Sequence, residues 1–175
     1  MTDWIKASNP GATIATEAEA IAAARASALA IFLGVLWGAV GVYLLVTGGS
    51  AEIEAAMAEA SADAPEMAGM GAMAMQIAMW TAIGLCGIQL VLGLVQWAKP
   101  SVVIPIIFAI LVAFGLVSGG FGLMMAGQEG MPETAATPAW QIYVGFAILV
   151  IQLIMHIAGI RGARALDRLR MAAAQ

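Results

Sequence analysis

Three polar side chains interrupt long apolar runs and set the question of what chemistry this chain could do. Gln89 lies in MQIAMWTAIGLCGIQLVLGLVQWAK (75–99), and Gln152 and His156 lie one helical turn apart in WQIYVGFAILVIQLIMHIAGI (140–160). Gln89 is ten residues from Lys99 and Gln152 nine from Arg161, so at about 1.5 Å per residue both sit about 14 Å from the same edge of a bilayer. At equal depth the two amides can meet. Two readings follow: a substrate or proton site in a small transporter, or an interhelical hydrogen bond worth about 0.6 to 2 kcal/mol that fixes packing. The second needs nothing further from the sequence and is preferred.

His156 is the only histidine, and an ionisable group inside a membrane is a functional candidate by default. Proton relays combine several acids or histidines, however, and no Asp or Glu occurs in any of the apolar runs. A haem would require a second axial ligand. The expectation is therefore a neutral, hydrogen-bonded histidine near the membrane boundary. No nucleophile, base and orienting group occur together, which leaves hydrolytic chemistry without support and predicts that the protein is not an enzyme. Cys86 is the single cysteine and lies within an apolar run, so it forms no intrachain disulfide and behaves as a small apolar side chain.

Methionine offers one more kind of site. Met67, Met70, Met73 and Met75 follow the pattern M-x-x-M-x-x-M-x-M, beside acidic residues. Thioethers select Cu(I), so copper or another soft metal is the alternative cofactor. Methionine also fills irregular apolar contacts, and steps of three drift around a helix, so convergence on one ion would need a loop. Apolar filling is preferred and no cofactor is expected.

The elements that carry these residues are legible from composition. Of 175 residues, 62% are apolar and 10% charged, against about 25% charged in soluble domains. Four runs are long enough to cross about 30 Å of hydrocarbon: 26–46, 75–97, 102–125 and 140–160. The fold class read from them is an all-α membrane protein, four transmembrane helices in an up-down bundle. Thr16 with Glu19 fits a capping box, which starts the first helix near Glu17, and Pro105 is tolerated in the first turn of the third run. Ser50 and Pro65 bracket a short Ala-rich helix in the first acidic loop. Each run carries small residues on one face. Gly34, Gly38, Gly93, Gly115 and Gly119 are read as helix-packing positions, with Gln89, Gln152 and His156 as polar contacts among them.

Sorting charges by loop places every cation on one side. Lys6, Arg25, Lys99, Arg161, Arg164, Arg168 and Arg170 fall on one side, whereas Glu52, Glu54, Glu59, Asp63, Glu66, Glu129 and Glu133 fall on the other. The positive-inside rule then places both termini in the cytoplasm, with a cytoplasmic segment at 1–25, a transmembrane domain at 26–160 and a basic tail at 161–175. Ala-rich, Arg-over-Lys composition suggests a bacterial inner membrane. No basic patch with interleaved aromatics suits nucleic acid. Similar stretches at 41–48 and 120–127, and Ile-Gln-Leu at 88–90 and 151–153, form a faint internal repeat of the kind a duplicated hairpin leaves. The expected role is a small, non-enzymatic, polytopic membrane protein, an accessory or assembly subunit or a homo-oligomer, whose partners are the bilayer and another membrane chain.

Overall fold

The computed structural model describes residues 3–49, 68–125 and 139–175, and among them every regular element is helical. The acidic segments of both loops, including the Ser50 cap, Pro65 and Met67, lie outside the described residues. A short helix, α1 (Trp4–Ser8), precedes four long ones: α2 (Glu17–Leu44), continued by a π-helical turn at Leu45–Gly49, then α3 (Ala68–Ala98), α4 (Val103–Met125) and α5 (Ala139–Ala173). All four long helices are apolar and long enough to cross a membrane, and the chain is a multi-pass membrane protein.

Helix α2 starts where its side chains satisfy its own first turn. Thr16 Oγ1 accepts from Glu19 N at 3.2 Å while the Glu19 carboxylate accepts from Thr16 N at 3.2 Å and Ala15 N at 2.8 Å. That capping box leaves few first-turn donors bare. Helix α3 ends by a comparable device. Gln96 is fully buried; its Nε2 donates to Ser101 O (3.1 Å) and across to Ala24 O on α2 (3.3 Å), and its Oε1 accepts from Ser101 N (3.2 Å). One amide thus closes the α3–α4 turn and ties it to α2.

The centre of the fold is the antiparallel pair α2 and α5. Rising positions along α2 meet falling positions along α5: Ala23 and Ala24 lie at Gly162, Ser27 at Gly159, Ala30 at Gln152 and Trp37 at Gly145. A Cβ at Gly162 would lie 2.6 Å from the backbone carbon of Ala23, so only glycine allows the backbones to come this close. Small side chains on α2 continue the seam, with Ala20, Ala22, Ala23, Ala24, Ala26 and Ala30 buried. In lipid, where burying apolar surface gives helices little reason to associate, such close packing is the main attraction.

The outer helices each lean on one member of the pair. Helix α3 packs on α2, with Gly93 against Ile31 and Phe32 and Cys86 against Gly38; α4 packs on α5, with Gly119 against Phe146 and Gly115 against Leu149. Although the turn at 99–102 joins α3 and α4, these two helices do not pack along one another. The lateral order is therefore α3, α2, α5, α4, with the two outer helices splayed.

Helix α5 spans 35 residues, about 52 Å at 1.5 Å per residue, well beyond a hydrocarbon core of about 30 Å. Its surplus continues the pairing with α2: Ala165 and Leu166 bury against Ala20, flanked by Ile14, Ile21 and Leu169. The N-terminal segment closes over this end. Trp4 stacks on Trp97 with centroids 5.9 Å apart, Arg25 lies 5.0 Å over the Trp97 ring and donates to Trp97 O at 3.1 Å, and Lys6 pairs with Glu19. Arg161 donates to Ala12 O at 3.3 Å and Arg170 to Glu17 at 3.0 Å. These contacts gather Lys6, Arg25, Arg161 and Arg170 at the end of the array where the α3–α4 turn carries Lys99. The short helix α1 is not anticipated in the sequence, because its tie to the fold is a stack across 93 positions of chain.

Candidate functional site

The splay of α3 from α4 leaves a cleft of about 330 Å³ at mid-span, with residues from all four long helices around it. Its floor is the α2–α5 seam, where Gly34, Gly38 and Gly145 contribute no side chains. Gln89 lines it from α3, Phe108 and Val112 from α4, Gln152 from α5 and Trp37 from α2. No charged residue is among those lining it.

Gln152 and Gln89 both approach the same glycine, Gly34. A Cβ at Gly34 would collide with Gln152 Nε2 and stand 3.7 Å from Gln89 Oε1. The bare glycine lets the buried Gln152 amide cross α2 and donate to Ala30 O at 2.9 Å. Gln152 thus binds the backbone of α2 rather than Gln89. Among the described residues, Gln89 makes no hydrogen bond, and neither does the indole N–H of Trp37, whose Nε1 would lie 3.4 Å from a Cβ at Gly145. Trp37 is braced from its other side by Trp140, edge-on at 6.4 Å.

His156 sits behind this cleft. It is fully buried, its Nδ1 lies 2.8 Å from Ser27 Oγ, and its ring stacks on Phe108 with centroids 5.6 Å apart and 25° between planes. Nε2 is buried with no partner among the described residues. Either proton arrangement satisfies the Ser27 contact. If Nδ1 carries the proton, Nε2 is a bare acceptor; if Ser27 donates, Nε2 is a lone N–H. Ser27 is buried at the crossing with Gly159, where a Cβ would lie 2.5 Å from Ser27 Cβ, so close helix approach delivers the hydroxyl to the imidazole. In the sequence Ser27 reads only as one more small residue of a packing stripe; its role depends on a partner 129 positions away.

Of the methionine positions, Met67 is outside the described residues, whereas positions 70, 73 and 75 lie on helix α3, with Met73 exposed. Among the described residues no group of three His, Cys, Asp or Glu side chains could hold a metal ion.

A second cavity, about 460 Å³, lies under the N-terminal segment and is lined by Lys6, Glu19 and Arg161 among others. Its cations are engaged already, Lys6 by Glu19 and Arg161 by the Ala12 carbonyl. The mid-span cleft is the one whose polar groups are unspent. Compared with family profiles, curated proteins and solved structures, the chain matches none.

Proposed function

We propose that this chain is a non-enzymatic, multi-pass inner-membrane protein that acts by packing against another membrane chain, as an accessory or assembly subunit or as a homo-oligomer. Its four spans form an up-down bundle with both termini cytoplasmic, a reading that rests on the gathering of cations at one end and on the positive-inside rule.

The observation that carries the proposal is the outer face of α3. Ile77, Trp80, Gly84, Gly87, Val91 and Leu94 are all exposed and recur in alternating steps of three and four. That spacing is a seam for a partner helix. An exposed apolar face alone is what lipid requires, but lipid does not require glycine. Gly84 and Gly87 meet nothing within 4 Å in this chain, as do Gly41, Gly120 and Gly122, but these two fall within one exposed seam of alternating steps, whereas Gly34, Gly38 and Gly93 face neighbours. Each glycine costs a helix roughly 1 kcal/mol relative to alanine, and close approach by a second helix is what offsets that cost.

The test is cysteine cross-linking in native membranes on a Cys86→Ala background. A cysteine at Gly87 should form a disulfide-linked dimer, or a cross-link to a co-purifying chain, while one at Val117 on α4 should not. Native mass spectrometry of the detergent-extracted protein would then identify the partner and its copy number. A monomer with no co-purifying chain, and no cross-link from either Gly84 or Gly87, would refute the reading.

A further inference from the structure

We propose that the mid-span cleft between α3 and α4 is a binding site for an uncharged, flat, lipid-borne molecule with ring carbonyl oxygens, of the quinone class. Four observations carry this, each narrowing the occupant.

The first is location. The cleft sits about 14 Å from the cationic edge of the spans, counting residues along α3 and α5 at about 1.5 Å each. A phospholipid headgroup, held at the interface by its charge, does not reach that depth, so a polar occupant has to be soluble in the bilayer interior.

The second is charge. With no cation or carboxylate lining it, the cleft has nothing to neutralise an ion, and an ion would bear the desolvation cost of the membrane unaided. The occupant is neutral.

The third is hydrogen bonding. The Trp37 indole, a donor only, and the Gln89 amide, which carries an N–H donor beside the oxygen it places near Gly34, both line this space and make no hydrogen bond among the described residues. Both offer N–H donors, and an unpaired polar group in hydrocarbon costs several kcal/mol. Acceptor oxygens on the occupant answer both donors, which an acyl chain cannot do.

The fourth is shape. The volume of about 330 Å³ falls at the low end of small-molecule sites. Gly34, Gly38 and Gly145 leave the floor bare while Trp37 and Phe108 supply aromatic surface. A ring fits that slot, and the gap between the splayed helices leaves a path into lipid for its tail.

Photolabelling tests the assignment on the full-length protein in nanodiscs, using an azido-substituted decyl benzoquinone and mapping the labelled peptides by mass spectrometry. Labelling should concentrate on 34–38, 86–89 and 145–152 and should be displaced by unlabelled decyl benzoquinone but not by decylbenzene, which has the same tail and ring without carbonyls. Gln89→Leu removes the amide at similar volume and should cut displaceable labelling by about tenfold, the scale set by a lost buried hydrogen bond. Leu111→Trp, at an exposed position on the rim, should block entry while leaving the melting temperature unchanged. Displacement by decylbenzene would show an acyl-chain groove and overturn the proposal. So would labelling spread evenly over the lipid-facing surface, or wild-type labelling in both variants. These outcomes are independent of whether α3 cross-links to a partner.

Discussion

Substituting alanine for glycine at two positions of the same bundle separates backbone contact from every other effect of the change. At Gly162 the added Cβ would press on the α2 backbone, colliding with Ala24 N and standing 2.6 Å from Ala23 C. Ordinary contact begins at 3.4 Å, so relieving the Ala23 contact alone requires the helices to part by about 0.8 Å, 3.4 minus 2.6, and the nearer Ala24 N requires more. No rotamer change relieves a clash with backbone. Overpacking of this kind costs about 1 to 3 kcal/mol, and a clash between backbones belongs at the upper end. At Gly115 the added Cβ would instead rest 3.8 Å from both Leu149 methyls, an ordinary contact. Because both changes are glycine to alanine, the gain in helix propensity, about 1 kcal/mol, is common to both and cancels in the comparison. Gly162→Ala is thus expected to be less stable than Gly115→Ala by about 3 kcal/mol, with Gly119→Ala, whose Cβ would meet the Phe146 ring at 3.2 Å, between them. Unfolding in mixed micelles with increasing SDS, followed by circular dichroism, measures the difference. If Gly162→Ala and Gly115→Ala unfold at the same SDS fraction, α2 and α5 do not cross where described and the central pair is wrong.

Three further outcomes are expected. Gln96→Leu should destabilise by about 1 to 3 kcal/mol, because it leaves the Ser101 N–H without its side-chain acceptor and cuts the tie to Ala24; the same SDS titration reads it, and a neutral result would mean that the α3–α4 turn does not depend on this amide. Ser27→Ala should cost a similar amount by leaving both nitrogens of the buried His156 ring unpaired, and NMR of ring-labelled histidine should show the imidazole signals shift in this variant. On a Cys86→Ala background, a cysteine at Ala173 should react with an impermeant maleimide only after permeabilisation and one at Ser61 from outside the cell; the reverse pattern would invert the orientation.

Much of the fold follows from composition and periodicity. Four uncharged runs of bilayer length, the loop charges and the Thr16–Glu19 capping box at the start of α2 are local properties, set by residues within a few turns of each other. The small-residue faces are readable too, since they depend only on a helical period. Their partners are not. Whether Gly34 meets Gln152 or Gly162 meets Ala23 depends on which of several similar stripes pair, and an alphabet of alanine and glycine does not distinguish them. Equal depth brings Gln89 and Gln152 to one glycine, yet only the three-dimensional crossing decides that Gln152 takes the Ala30 carbonyl and leaves Gln89 facing open space. The N-terminal helix, held by Trp4 on Trp97, and the seating of His156 between Ser27 and Phe108 likewise depend on positions far apart in the chain. The cleft is the clearest case. A tight turn between α3 and α4 suggests neighbours packed face to face, but each outer helix finds its close contacts on the central pair instead. The space between them exists because glycine-rich crossings draw α2 and α5 together and because α3 and α4 lie on different members of that pair.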